Sequence, residues 1–250
     1  MSSASSEVNS SDCSQIAFTA SVDDGELERD GFCMVRRLAD ETEIQSLRKA
    51  LTAEFGELAY GSANRRGLLD RCSNIAALAV SHRIKSLLKA VAGGEWRAVR
   101  GILFDKTETA NWHVRWHQDQ TIAIKKRYET EGFTGWSEKQ AICHVQAPVE
   151  VLQKMLSIRI HLDDSNTDNG ALRIVPGSHS RGKLAASERD AVRSANSELM
   201  CVAKAGDALI MRPLLLHASA TAENPRHRRV IHLDYACGDL PGELEWFWRL

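Results

Sequence analysis

No apolar run in these 250 residues approaches the roughly 18 that would suggest a membrane span. An excess of charge is missing too. With 32 Lys and Arg against 33 Asp and Glu the formal charge is -1, so there is no global positive field to draw the chain to nucleic acid. The six cysteines, Cys13, Cys33, Cys72, Cys143, Cys201 and Cys237, include no CxxC pair; this argues against a zinc knuckle or dithiol centre and fits reduced thiols. The opening MSSASSEVNSSDCS lacks the basic start and apolar stretch of a secretory signal, and the closing WFWRL is not an SKL-type address. The expected setting is the cytoplasm, and the expected partner is a small molecule rather than nucleic acid or membrane. There is no internal repeat, and nothing in the sequence speaks to oligomeric state.

What is present is an ordinary globular composition, 43% hydrophobic and 26% charged, in a chain long enough to bury a substantial core. One domain is expected over residues 15–250. Residues 1–14 are Ser-rich and polar, cannot bury enough surface to offset the entropy of ordering, and are expected to be a disordered tail. After a turn signal at Asp30-Gly31 comes a short apolar run, Phe32 to Val35. Ile44, Leu47, Leu51 and Phe55 then recur at helical spacing, with Asp40 and Glu43 placed as a helix start. A second helix is predicted over Ser73–Val91, stopped by Gly93-Gly94. From Trp96 onward RAVRGILF, MLSIRIHL, GALRIV, GDALIM and RRVIHLDYA are short apolar segments punctuated by Gly, Pro, Asn and Asp, so the second half is β-structure. In Ser157 to Leu162 alternation places Ile158, Ile160 and Leu162 on one face and polar residues on the other, which suits a barrel with a ligand inside. Residues 121–151 are weakly patterned and read as a long insertion near the site.

His117-Gln118-Asp119 supplies an imidazole and a carboxylate two residues apart, on one face of an extended strand. His217, after the apolar run Ala208 to Met211, offers a second imidazole. Two His and one carboxylate leave coordination positions open, the arrangement of non-haem Fe(II) oxygenases. An HxD alone is weak among nine histidines, since a strand His is more often structural. Downstream, His217-Ala218-Ser219 is followed by the polar turn Glu223-Asn224-Pro225 and by Arg228. A hairpin here would set Arg228 beside His217 on the neighbouring strand, its planar fork suited to a carboxylate, with the Ser219 hydroxyl adding a donor. The alternative is that Arg226, Arg228 and Arg229 form a solvated basic turn. Arg159, on a polar strand face, is a second candidate clamp. If Arg228 faces inward, Val230, His232 and Asp234 face inward with it, and Ile231, Leu233 and Tyr235 need a bulge or a helix packed outside.

Three ordered blocks, FDKTETANWHVRWHQD, IRIHLDDSNTDNGALRIVPGSH and GDALIMRPLLLHASATAENPRHRRVIHLDYA, resemble the phytanoyl-CoA dioxygenase family of Fe(II)/2-oxoglutarate oxygenases over about residues 96 to 237. The resemblance implies a mainly β fold with flanking α-helices, a double-stranded β-helix (jelly roll, cupin-like). It implies Fe(II) on His117, Asp119 and His217, with 2-oxoglutarate as co-substrate, held by Arg228 with help from Ser219 and Gln118, and O2 as oxidant. His179 then belongs to a turn. The activity expected is a dioxygenase that oxidises an unactivated C–H bond of a small metabolite. Related halogenases lack the carboxylate ligand so that chloride can bind; Asp119 is present, which favours hydroxylation, although desaturation or ring closure would use the same ligands. His144 and Gln146 are candidate substrate contacts, and Trp112, Trp116 and Trp136 candidate pocket walls. No basic cluster built for the phosphates of CoA is visible. The competing readings are a metal-dependent oxygenase that does without 2-oxoglutarate, in which Arg228 is dispensable, and a non-catalytic jelly-roll binding protein.

Overall fold

The computed structural model describes residues 25–56 and 64–250; the expected tail over 1–14 lies outside them. Along the chain α1 (Glu26–Asp30) and β1 (Phe32–Val35) lead into α2 (Glu41–Phe55), then β2 (Asn64–Arg66), α3 (Leu68–Arg71), α4 (Ser73–Ala79) and α5 (His82–Ala92). Next come β3 (Arg97–Lys106), β4 (Val114–His117), β5 (Thr121–Ile124), β6 (Thr134–Lys139), β7 (Ile142–Gln146), α6 (Val149–Leu152) and β8 (Met155–His161). The chain closes with β9 (Leu172–Ile174), α7 (Ala186–Ser194), β10 (Leu199–Cys201), β11 (Ala208–Met211), β12 (His217–Ser219) and β13 (Arg228–Ala236). Six strands in the order β1-β11-β8-β13-β3-β2 form the major sheet, and β10-β9-β12-β4 the minor one. The two sheets face each other as a jelly roll, with the helices outside.

Alternation along the major sheet decides which side chains see the interior. Ile158, Ile160 and Leu162 face outward with Ile231, Leu233 and Tyr235, and pack under Ile44, Leu47, Leu51, Ile75, Ile84 and Leu88 of the helices. The helical layer is thus what the outward residues of β13 require, and the Tyr235 hydroxyl donates to the Ala79 carbonyl at 3.0 Å. A register shift at Asp234/Tyr235 also bends this strand against β3. The capping box is present: the Asp40 carboxylate accepts from the Glu43 amide at 2.8 Å, and the Glu43 carboxylate accepts from the Asp40 amide at 3.1 Å.

Three sequence expectations change. The helix predicted over Ser73–Val91 is broken into α4 and α5, because the Ser81 side chain caps a new start by accepting from the Ile84 amide. Residues 121–151 are not an irregular insertion but a third sheet, β5-β7-β6, whose Ile122, Ile124 and Val145 pack with Phe133, Leu152 and Trp246. Arg228 does not return on a hairpin beside His217, since β12 belongs to the minor sheet and β13 to the major sheet. The segment between them crosses the sandwich, and Arg228 meets the site from the opposite wall. Among the described residues no helix is long and apolar enough to cross a membrane.

Because the outward face of β13 is sealed by helices, Leu233→Ala is expected to cost about 2–5 kcal/mol through lost burial and a residual cavity. Urea denaturation of the variant against the parent measures it.

Candidate functional site

His117 ends β4 and lies directly opposite His217 of β12 in the sheet register, which brings two residues far apart in sequence side by side. The rings stand 4.2 Å apart between centroids. Asp119 follows β4, where its amide donates to the Pro213 carbonyl at 2.9 Å and fixes the turn. Its carboxylate lies 3.6 Å from His117 Nε2 and 3.7 Å from His217 Nε2. One ligand atom from each of the three residues falls within 4.8 Å of the others.

Both imidazoles are oriented by the same local device. His117 Nδ1 donates to the Arg115 carbonyl at 2.9 Å and His217 Nδ1 to the Leu215 carbonyl at 2.8 Å, two residues back in each case. That leaves each Nε2 as the free nitrogen, aimed at the shared point. Burial, and then repulsion from His117, pushes the His217 imidazole down to about 3, so it is neutral at physiological pH. Burial would raise the Asp119 carboxyl, but His217 and His117 hold it well below the usual carboxylate range. Burial opposes charge on His117 as well, yet Asp119 outweighs it and raises the imidazole. Two imidazoles and one carboxylate, converging with room on one side, suit Fe(II).

The space in front of the triad is a cavity of about 230 Å³. Its inner end holds Arg159 (7% exposed) and Arg228 (2%), and behind them lies Lys106 (0%); among the described residues none of the three has an ion-pair partner. Arg228 Nη1 donates to the Gly170 carbonyl, Lys106 Nζ donates to Ser219 Oγ at 2.9 Å and to the Ala220 carbonyl, and Ser219 Oγ donates to the Gly170 carbonyl at 2.8 Å. Arg159 Nη1 approaches His232 Nδ1 at 3.2 Å, and its guanidinium lies 5.4 Å above the Phe104 ring. The Nε atoms of both Arg159 and Arg228 are buried without a partner. Burial, reinforced by Arg228 and Arg159, pushes the Lys106 ammonium down to about 7. Burial likewise drives His161 to about 3, so this neighbour adds no further cation. Gly170 has φ +76°, and a side chain there would collide with the Ala220 carbonyl and Lys106 Nζ, so only glycine lets the chain close over these groups. Buried, uncompensated cations with orphan donors fit a bound carboxylate.

The remaining sequence candidates fall elsewhere. Gln118 borders the cavity, but its amide nitrogen donates to the Gly182 carbonyl at 2.8 Å and the Leu214 carbonyl at 2.7 Å, while its oxygen accepts from the Leu184 amide at 2.8 Å. It braces the backbone between the two ligands while lining the cavity. His144 and Gln146 do not line the cavity. They lie on β7, the central strand of the third sheet, where His144 is 1% exposed and donates from Nδ1 to the Ile142 carbonyl at 2.8 Å, while Gln146 is exposed over Gly135. Of the tryptophans only Trp112 is a wall; Trp116 packs under Arg173 and Arg193, and Trp136 under Arg127. His179 sits in a 3-10 turn, Ser178–Arg181, against Gly31. Sequence reading missed Lys106. The signal was there, since Arg100, Ile102, Phe104 and Lys106 alternate on β3 and share the inner face.

A jelly roll carrying this donor set and a cationic inner end defines the class of Fe(II)- and 2-oxoglutarate-dependent oxygenases. The phytanoyl-CoA dioxygenase (PhyH) family model matches residues 27–230, and the chain belongs to that family. Among solved structures, EctD from S. alaskensis with 2-oxoglutarate and 5-hydroxyectoine aligns with TM-score 0.66 and 19% identity, covering 85% of this chain and 74% of that one. The non-heme alpha ketoglutarate dependent carbocyclase SnoK from nogalamycin biosynthesis gives 0.64 and 16%, over 86% and 82%. AviO1 from Streptomyces viridochromogenes Tue57 gives 0.61 and 20%, over 87% and 94%. No curated protein matches.

Lys106 supplies a test of co-substrate contact. At about pH 8 its amine is largely neutral in the free protein, and a carboxylate bound beside it raises its pKa, so 2-oxoglutarate binding takes up a proton. Calorimetry in two buffers of different ionisation enthalpy reads this uptake, and a heat independent of buffer removes Lys106 from the contact.

Proposed function

We propose that His117, Asp119 and His217 hold Fe(II), and that Arg228, with Ser219 and Lys106, binds the far carboxylate of 2-oxoglutarate in a dioxygenase that hydroxylates a small molecule. The observation that carries this is the pairing of a three-donor cluster with buried cations lacking counter-charge, in one cavity. With 2-oxoglutarate and dioxygen the iron supplies oxidation of a C–H bond, giving an alcohol, succinate and carbon dioxide. The chain's own contribution is placement. The minor sheet fixes the two imidazoles and Ser219, Gln118 stiffens the turn that presents Asp119, and the major sheet sets the cations of the carboxylate clamp on the facing wall. Retention of the Asp119 carboxylate supports oxygen transfer over halogenation. A cytoplasmic setting fits the free state of Cys33, Cys72, Cys143, Cys201 and Cys237, and a small-molecule substrate fits the size of the cavity.

Anaerobic addition of Fe(II) and then 2-oxoglutarate to the purified protein is expected to produce the weak visible charge-transfer band of the chelate. His117→Ala and Asp119→Ala are expected to abolish it, because two ligands do not keep the geometry. A full band in either variant removes the triad assignment.

Arg228→Ala is expected to weaken 2-oxoglutarate binding by about 10- to 100-fold, the loss of a charged hydrogen-bonding contact, with a smaller loss for Arg159→Ala. Titration of the band measures both. An unchanged requirement in Arg228→Ala, with iron bound, points to an oxygenase that does not use 2-oxoglutarate.

A further inference from the structure

The same cavity has a second cationic region at its rim, built from residues that the triad and the carboxylate clamp do not use. Arg66 ends β2 and pairs with Ile102 across the edge of the major sheet. Arg100 lies two residues before Ile102 on the same face of β3. Lys139 arrives from the third sheet, as the last residue of β6. All three line the cavity. Arg100 is already neutralised, since it is paired with the Asp234 carboxylate and donates from Nη1 to the Thr121 carbonyl at 2.7 Å. Asp234 also accepts from Ser157 Oγ at 2.6 Å and contacts His232 Nε2 at 2.8 Å; its charge reaches Arg66, but it makes no hydrogen bond to that guanidinium. Among the described residues the side chains of Arg66 and Lys139 make no hydrogen bond or ion pair.

The hairpin that delivers Lys139 is strained. Gln140 and Ala141 both hold positive φ, +53° and +59°, without the glycine that such a turn favours. Strain of this kind is kept where the surroundings fix it, often beside a ligand. The charge is felt locally as well: burial, and then repulsion from Arg100, lowers the Arg66 guanidinium, while burial and the two arginines lower the Lys139 ammonium. Buried His144 is pushed down to about 4 by its burial, with Arg100, Arg66 and Lys139 opposing a further positive charge. Between this rim and the inner cations the wall is apolar, formed by Ile102, Phe104, Trp112, Val114 and Leu172.

Resting on the iron and 2-oxoglutarate reading above, we propose that the substrate carries an oxyanion, a carboxylate or phosphate, bound at the rim by Arg66 and Lys139. Its hydrocarbon part lies along the apolar wall, toward His117 and His217. The two ends of the cavity then divide the work. Arg228 takes the co-substrate anion and Arg66 the substrate anion, so neither anion has to displace the other. The third sheet has a role in this arrangement, since it supplies Lys139 as a specificity-determining residue.

The test uses the full protein loaded anaerobically with Fe(II) and 2-oxoglutarate. A panel of short carboxylic acids, each beside its primary amide, is titrated together with inorganic phosphate and coenzyme A, followed by perturbation of the visible band and by thermal shift. Acids of the panel, or the phosphates, are expected to bind about tenfold or more tighter than the neutral amides, as a charge-assisted contact requires. Arg66→Gln and Lys139→Gln, both at solvent-accessible positions, are expected to erase that preference while the band of the bound co-substrate persists; Arg66→Lys is expected to restore part of it. Preference for acids assigns the anion to a carboxylate, and preference for coenzyme A over the acids assigns it to the phosphates of a thioester. The proposal is overturned if no anion out-binds the amides, or if the preference survives in the Arg66→Gln/Lys139→Gln double variant. Absence of the visible band in the parent sinks the iron and 2-oxoglutarate reading instead, and the thermal-shift comparison of acids with amides still decides the anion site.

Discussion

Arg159, Arg228 and Lys106 are buried on the inner face of one sheet without an ion-pair partner among the described residues, and the rest of the structure is arranged around that cost. Removing cations from water is expensive unless something answers their charge. The outer face of the same sheet offsets it: Ile158, Ile160, Ile231, Leu233 and Tyr235 bury against four helices, an apolar contact that keeps the sheet folded around an unfavourable interior. On the proposed reading, a dicarboxylate that answers the charge is held where the fold has already ordered the clamp, as in a preorganised site.

In the proposed assignment the metal ligands and the cations of the anion clamp stand on opposite walls, with Ser219 reaching the clamp from the metal-bearing sheet. The minor sheet carries His117 and His217 in register, and the major sheet carries Arg159 and Arg228. Each wall can be rigid in itself, since backbone hydrogen bonds orient the imidazoles while Gly170 and Ser219 tie down the clamp. The distance between the walls fixes how far the two ends of a co-substrate reach. His232 and Asp234, alternating with the outward residues of β13, join the clamp end to the rim through Arg159 and Arg100.

Much of this was legible in the sequence because it depends on short-range periodicity. Alternation in Ser157 to Leu162 placed Arg159 inward, the spacing of His117 and Asp119 put both donors on one side, and Asp40 with Glu43 announced a helix start. For Gln118 the sequence shows an amide with the chemistry to touch a co-substrate; that backbone carbonyls at Gly182 and Leu214 take its amide hydrogens is a matter of folding. The segment over 121–151 lacked strong alternation because β6 is largely exposed and β7 only partly apolar, so its strands carried no clear burial signature.

The sequence by itself determined the donor types, the strand faces and, through three ordered blocks, the family. Only the tertiary structure decided which of those faces meet. Coulomb energies and coordination depend on distances of a few ångströms, and these are set by sheet pairing between residues many tens of positions apart. Arg66, Arg100 and Lys139 share no motif, yet they converge at one rim. Arg228 reads as the hairpin neighbour of His217, yet it stands across the barrel from it, because β12 and β13 join different sheets.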